Sequence, residues 1–446
     1  MEEDKFALVE RIIKDIHVVL SKIAELRAFE IIPVDTNFRN KSPVLYFENC
    51  LGLESWCIKH VYMYCYSEIM DRYCSKARRK EFKVCSLNSE RMIKLLNVTL
   101  LLNPELTLLW NKRRILVSKC LLDKCSELHF TKLIISRKPK CNDAFAYRRW
   151  LLESIISDER FLSYNIQEFV NEELNICTQA SDKSPNNYHS WNHRLWFLNK
   201  IKLLDKQFDV HAQFIKEYIF SEQWTERNVS DYCCYHYRQF CIKNIYLLNE
   251  ESLKKFSTAN NLNLRKVLIR ILASNFPNDS TIQVSEENLL SYSESNLVNL
   301  LFFPSVKSCY CVMDNVSICH KLEVIFHELS INNELIRFYK HHETLWYHRR
   351  FVVHEIIGII HEYFCLTKNN GVLIRNTCKK CTYDDEREKQ AKIVRYDSNC
   401  MYSSVLFDVL LNHEKKFIEE MRKASDNYAD RHEKYLKCIK GFNSMM

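Results

Sequence analysis

Apolar residues recur along most of this chain at spacings of three and four, the interval that lines one face of an α-helix. The segments Leu121 to Ser136 and Phe208 to Glu222 carry such a stripe, as do Trp191, Arg194, Leu195 and Leu198. At the ends, Phe6 to Ala28 and Leu51 to Arg72 predict N-terminal helices, and Ser404 to Lys423 and Asp426 to Ile439 predict C-terminal ones. The polar stretch Asn275 to Asn296 and the charged run Lys368 to Asn399 interrupt the stripe and predict loops.

Within the helical segments one short pattern returns. Asn103-Pro104-Glu105-Leu106-Thr107-Leu108-Leu109-Trp110-Asn111-Lys112-Arg113 is the first copy. Pro139 through Phe145 to Arg148 is the second, and Pro185-Asn186-Asn187-Tyr188-His189-Ser190-Trp191-Asn192-His193-Arg194 is the sharpest. Asp231 through Tyr235 to Arg238 and Glu343 through Trp346 to Arg349 follow without the proline. The aromatics are separated by steps of about 35, 46, 44 and 111 residues. The first three steps fit a helix-pair repeat of roughly 34 to 47 residues. The last must hold extra helices or an insertion.

Each residue type in the pattern has a structural reason. Asn103 before Pro104 and Ser184 before Pro185 predict an N-cap followed by proline in the first helical position. The aromatic then falls nearly two turns into the helix. Arginine at i+3 shares the aromatic's face and is placed to reach side chains or carbonyls ending the previous hairpin. Arg113, Arg148, Arg194, Arg238 and Arg349 therefore read as structural staples and not as a phosphate-binding ladder. Arg114, Arg149 and Arg350 turn about 100° away on the helix and are candidates for partner contacts or solvated charge. The predicted fold is all-α: a right-handed α-α superhelix, or solenoid, of helical hairpins in the tetratricopeptide manner. Its expected divisions are 1–100, a repeat solenoid over 101–365 with an insertion near 275–320, and a charged loop with capping helices over 366–446.

Composition supports helices and narrows the chemistry. Four glycines and 7 prolines in 446 residues leave too few turn positions for a many-stranded sandwich or barrel. No G-x-G-x-x-G or P-loop occurs. The 20 cysteines accompany an acidic, amphipathic start without a signal-peptide core, so they read as reduced thiols in a cytosolic chain. No apolar run is long enough to predict a membrane span. A net charge of +8, from 64 basic and 56 acidic residues, suits an acidic protein partner better than nucleic acid.

Other clusters do not assemble a motif. Cys378-Lys379-Lys380-Cys381 is a single C-x-x-C without a second knuckle nearby. Cys233 and Cys234 adjoin on one predicted helix, where consecutive side chains diverge. His354 and His361 stand seven apart, not the four of a zincin. No nucleophile elbow is present. No catalytic or metal-ligating set is therefore assigned to this chain.

Pro-x-Asn-Tyr-x-x-Trp-x-x-Arg, matched by Pro185 to Arg194, resembles the protein prenyltransferase α-subunit repeat, and the likeness recurs from Asn103 to Phe351. Upstream, Asn40-Lys41-Ser42-Pro43 and Glu48-Asn49-Cys50-Leu51-Gly52-Leu53-Glu54-Ser55-Trp56-Cys57-Ile58-Lys59 resemble the α-subunit repeat-containing protein 1 subfamily, as does Asp231 to Phe240. Residues 1–100 would then be helices specific to that subfamily. The resemblance implies a crescent around a separate β-subunit, of the Rab geranylgeranyltransferase type, which holds the catalytic zinc and the isoprenoid diphosphate. The substrate would be a protein with an acceptor cysteine. In farnesyltransferase-like α-subunits a lysine two residues before the repeat tyrosine helps neutralise the diphosphate; here Asn186 stands there, while Tyr188 and His189 are retained as diphosphate-proximal candidates. The expected role is the α-subunit of a geranylgeranyl-transferring enzyme. The competing readings are an interaction scaffold unconnected to lipid transfer and, ranked last, an RNA-binding protein.

Overall fold

A computed structural model describes residues 2–34, 42–77, 86–158, 165–202, 208–248, 251–252, 256, 264–277, 284–302, 315–370 and 404–439. They fall into two compact units, Met1–Phe208 and Asp209–Met446. Helices dominate both.

The first unit opens with α1 (Glu2–Leu20), followed by three short strands, β1 (Ala28–Ile32), β2 (Val44–Phe47) and β3 (Cys50–Glu54). The strand order is β1-β3-β2, with β1 parallel and β2 antiparallel to β3. This corrects the expected helix over Leu51 to Arg72: its first four residues are strand, and α2 (Ile58–Ala77) begins only after them. The local cause is a two-residue turn, Glu48 and Asn49 at φ 48° and 62°, whose twist suits a β-hairpin. Side chains of the adjoining first helices hold the sheet. Phe29 N–H donates to Ser136 Oγ at 3.2 Å, and the Lys183 ammonium bridges Ser136 O and Glu30 Oε1 at 2.6 and 2.5 Å.

The hairpins then follow: α3 (Ser86–Leu102) with α4 (Thr107–Ser118), α5 (Lys124–Arg137) with α6 (Asn142–Ile156), and α7 (Ile166–Lys183) with α8 (Tyr188–Ile201). First helices α5 and α7 lie side by side, as do second helices α4, α6 and α8. Asp123 and Asn165 cap the first helices through the backbone N–H groups of Ser126 and Glu168, satisfying donors the helix cannot.

The second unit repeats the plan. Here α9 (Val210–Arg227) pairs with α10 (Tyr232–Ile245), α14 (Asn315–Phe338) with α15 (Glu343–Asn370), and α16 (Val405–Lys423) with α17 (Tyr428–Lys437). Between them lie α11 (Leu264–Asn275), α12 (Glu286–Leu290) and α13 (Glu294–Phe302). Helix α11 packs on α14 and α16, and so does α13, which explains the long gap in the repeat. The expected loop over Asn275 to Asn296 is thus partly helical. Its polar residues include caps, with Ser285 accepting from Asn288 N–H, while Leu289, Leu297 and Val298 supply a buried face. The charged run begins within the last three residues of α15, Lys368 to Asn370, which are helix and not loop; the rest of it, with Cys378 and Cys381, lies outside the described residues.

Helix starts also differ from expectation. Pro104, Pro139 and Pro185 stand three residues ahead of Thr107, Asn142 and Tyr188, in the turn and not at the first helical position. The N-cap of α8 is Asn187, not Ser184. Its side chain accepts from Ser190 N–H while donating to Pro139 O at 2.6 Å and Ala180 O at 3.2 Å, so one buried amide ties two turns together. The proline carbonyls are the reason for the placement: Pro104 O also takes the indole N–H of Trp110 at 2.8 Å. The signature aromatic consequently sits one turn into its helix, not nearly two.

Candidate functional site

Trp110, Phe145, Trp191, Tyr235 and Trp346 are all buried, and each signature arginine beside them is no more than 3% exposed. A guanidinium so deep needs a counter-charge, because burying an unpaired ion costs several kcal/mol. The structure supplies one from the next hairpin. Arg113 donates to Glu127 at 2.7 and 2.5 Å, and Tyr147 OH donates to the same carboxylate at 2.7 Å. Arg148 forks onto Glu173 at 2.8 and 2.6 Å, with His193 Nε2 2.6 Å from Glu173 Oε1.

In the second unit Tyr237 OH donates to Glu217, and Arg238 forks onto Glu328 at 2.8 and 2.5 Å, with His348 Nε2 at 2.6 Å. Arg349 closes the series on Glu414 at 2.9 and 2.8 Å, joined by His432 Nε2 at 2.8 Å. Each third group in the repeat itself, Tyr147, His193, Tyr237 and His348, lies two residues past the signature aromatic.

Four of the five arginines, Arg113, Arg148, Arg238 and Arg349, thus reach forward to a glutamate, not back to the end of the preceding hairpin. Their remaining N–H groups do point back, onto the first helix of their own hairpin: Arg148 to Leu128 O and Thr131 Oγ1, Arg194 to Leu174 O and Thr178 Oγ1, Arg238 to Tyr218 O. Glu127, Glu173, Glu217 and Glu328 were missed at the sequence level. A signal existed, because each stands 20 residues before its tyrosine or histidine. Burial by itself would raise the Glu173 carboxyl, but Arg148 and then His193 outweigh it and hold the group at about 2. Glu328 and Glu414 are likewise held below the usual carboxylate range, against burial, by Arg238 and Arg349 respectively. Burial lowers His193 and His432, leaving both imidazoles neutral at pH 7. These groups are tied up in the frame and are not free for chemistry.

The more open chemistry lies at the start of α8. Tyr188 is 59% exposed, and its ring meets His189 edge-on at 5.7 Å. Burial, then Arg149 and Lys140, lower the His189 imidazole, so at neutral pH it offers one N–H and one lone pair. Asn186, where a lysine is expected from the resemblance, has φ 55°, a left-handed conformation that asparagine tolerates well. Positive charge nevertheless reaches this point from Lys140, which stands in the preceding repeat where Asn186 stands in this one.

One position past each signature, the arginines behave differently. The Arg114 guanidinium lies 5.7 Å from the Trp150 ring centre, and that of Arg149 lies 5.8 Å from Trp196. Arg350 lies between Tyr347 and Tyr435 at 4.8 and 5.4 Å. Among the described residues, Cys233 and Cys234 are both buried, and no three His, Cys, Asp or Glu side chains converge in metal-binding geometry. No described helix is long and apolar enough to cross a membrane.

The protein prenyltransferase alpha subunit repeat model matches residues 125–155, 170–201, 214–245 and 325–356, each beginning on the first helix of a hairpin and ending on the second. Protein prenyltransferase alpha subunit repeat-containing protein 1 of Homo sapiens is 28% identical over 363 residues, covering 78% of each chain. Protein 1-A of Xenopus laevis is 27% identical over 374 residues, covering 81% of this chain and 74% of the relative. The Danio rerio protein 1 is 26% identical over 365 residues, covering 79% and 73%. The chain thus carries four copies of the protein prenyltransferase alpha subunit repeat and is similar along most of its length to the repeat-containing protein 1 relatives.

Proposed function

We propose that this chain is the α-subunit of a heterodimeric protein prenyltransferase that transfers a geranylgeranyl group, working in the cytosol with a β-subunit of the Rab geranylgeranyltransferase type. The β-subunit supplies the zinc and the isoprenoid pocket. The reaction joins a protein cysteine thiolate to the allylic carbon of the isoprenoid diphosphate, forming a thioether as the carbon–oxygen bond to diphosphate breaks. This chain holds the partner in shape and helps present the protein substrate. The observation that carries the reading is the family repeat, built on a buried frame that leaves the start of α8 open.

There Tyr188 OH and neutral His189 supply hydrogen bonds to a departing diphosphate, and Lys140 supplies positive charge in place of a lysine at position 186. The test is co-expression with a Rab-type β-subunit, followed by incubation with geranylgeranyl diphosphate and a cysteine-bearing acceptor protein. A mass gain of one C20 group on the acceptor is expected. Transfer of a C15 group in its place would revise the lipid, and no transfer from either diphosphate would refute the enzymatic role.

Asn186 favours a second reading, a helical-repeat interaction scaffold without a role in lipid transfer, because a neutral amide cannot neutralise a leaving diphosphate. A stable complex that transfers nothing is the result that would select it.

A further inference from the structure

Helices α4, α6 and α8 lie side by side, and a repeated arrangement runs across them: an arginine from one helix stacks on a tryptophan of the next. Arg114 stacks on Trp150, and Arg149 on Trp196, whose ring also has the Lys200 ammonium 5.7 Å from its centre. The rings are themselves fixed, Trp150 by Tyr147 at 5.7 Å and Trp196 by His193 at 5.4 Å. Arg149 Nε donates to His193 Nδ1 at 3.3 Å. Both guanidiniums are therefore half-buried and oriented before anything binds. Yet neither has a carboxylate partner among the described residues, whereas Arg113 and Arg148, one position earlier, each fork onto a glutamate. Burial lowers Arg149 from its usual range, a desolvation cost that no internal carboxylate offsets. In the second unit Arg350 repeats the pattern between Tyr347 and Tyr435, with Nε buried and unbonded, as is Arg114 Nε.

We propose that Arg114 and Arg149, held by Trp150 and Trp196, form a docking face for a partner protein that presents carboxylates about two helical turns apart. The charge is complementary, and the spacing fixes the kind of ligand. Neighbouring packed helices stand about 8–10 Å apart, so successive arginines of the ladder repeat at that interval. Residues i and i+7 of a partner helix rise by roughly 10 Å, which sets two Asp or Glu side chains over the two guanidiniums. A single phosphate is too small to bridge both. With Arg149 Nε taken by His193 and Arg114 Nε buried, the terminal Nη groups are the donors left for a bidentate carboxylate, Arg114 Nη1 reaching Asn111 Oδ1 only at 3.4 Å. Acidic residues on the face are already engaged: Glu153 pairs with Lys200 at 2.8 Å, and Asp143 accepts from Thr107 Oγ1 at 3.0 Å. The face deepens the reading of this chain as a partner-holding subunit and rests on it for the partner's identity.

The experiment compares the full-length chain with its R114Q/R149Q variant, two probes being offered to each. One probe is a synthetic helical peptide with glutamates seven residues apart, and the other is a Rab-type prenyltransferase β-subunit. The expected result is that the peptide binds wild type, weakens with added salt, and loses at least about tenfold in affinity to the variant or when its glutamates become glutamine. R114K/R149K, which keeps the charge and loses the fork, recovers only part of the binding. Matching circular dichroism spectra exclude unfolding as the cause. A peptide that binds variant and wild type alike, or binds neither, overturns the proposal. A β-subunit that ignores wild type while the peptide binds as expected overturns the functional reading and leaves this face standing.

Discussion

Replacing Glu173 by glutamine removes the charge that holds Arg148 inside the first unit. Both side chains are almost completely buried, and the pair makes two charge-assisted bonds at 2.8 and 2.6 Å, with His193 a third partner. Glutamine retains the shape but faces the guanidinium with one carbonyl oxygen and one amide donor. Breaking a buried ion pair in this way costs about 3–5 kcal/mol, because the surviving ion is left uncompensated. In a unit of about this size each kcal/mol moves Tm by about 2–4 °C, so the midpoint should fall by roughly 6–20 °C.

The neighbouring Glu172→Gln is the control, since Glu172 pairs with Lys132 at 2.9 Å at the surface. It should cost under about 1 kcal/mol. Guanidinium denaturation followed by circular dichroism measures both, with an unchanged m-value required for the comparison. A Glu173→Gln variant as stable as Glu172→Gln would refute the claim that the arginine–glutamate forks hold the hairpins together. The double variant Arg148→Met/Glu173→Leu should recover much of the loss, because it removes both ions and not just one.

Three further outcomes follow from the same packing. Trp191→Ala should cost about 3–5 kcal/mol through the cavity it leaves, and a variant that melts like wild type but loses function would show Trp191 to be a working surface residue. Asn187→Ala removes an N-cap and two further hydrogen bonds, and calorimetry should show a loss of about 1–3 kcal/mol, against a few tenths if the cap alone were dispensable. His320 is buried and lowered by that burial to about 4, below its ordinary 6.5. Its neutral form therefore stabilises the second unit fully above pH 6.5, and that stability is lost as pH falls from 6.5 toward 4. His320→Phe should flatten the dependence of Cm on pH in that window, and an unchanged slope would contradict the assignment. The Glu173 contribution disappears lower, as pH falls from its ordinary 4.5 toward about 2.

Much of the frame was legible in the chain because the features that encode it are local. Trp191 and Arg194 lie three apart on one helix, so their shared face follows from helical geometry, and the repeat of that spacing exposes the hairpins. What escaped was what depends on distant partners. Glu127 and Glu173 look like ordinary surface residues of amphipathic helices until an arginine from another hairpin is brought over them. The sheet escaped for a different reason: strands of four or five residues are too short for a periodic signal, and Leu51 to Glu54 run directly into a helical segment. The prolines were placed three residues too late in the local architecture, because Pro-before-aromatic fits a helix start equally well as a turn whose carbonyl receives the indole. At the candidate site, Tyr188 and His189 stood out by pattern. The role of Lys140 needed the two turns superimposed, and the stacking of Arg114 on Trp150 needed the packing of α4 on α6.

The most direct test of the account is the sedimentation mass of this chain after co-expression with a Rab-type β-subunit. A 1:1 complex containing one zinc ion is predicted; a species that sediments alone at 53.5 kDa with the β-subunit left free would contradict it.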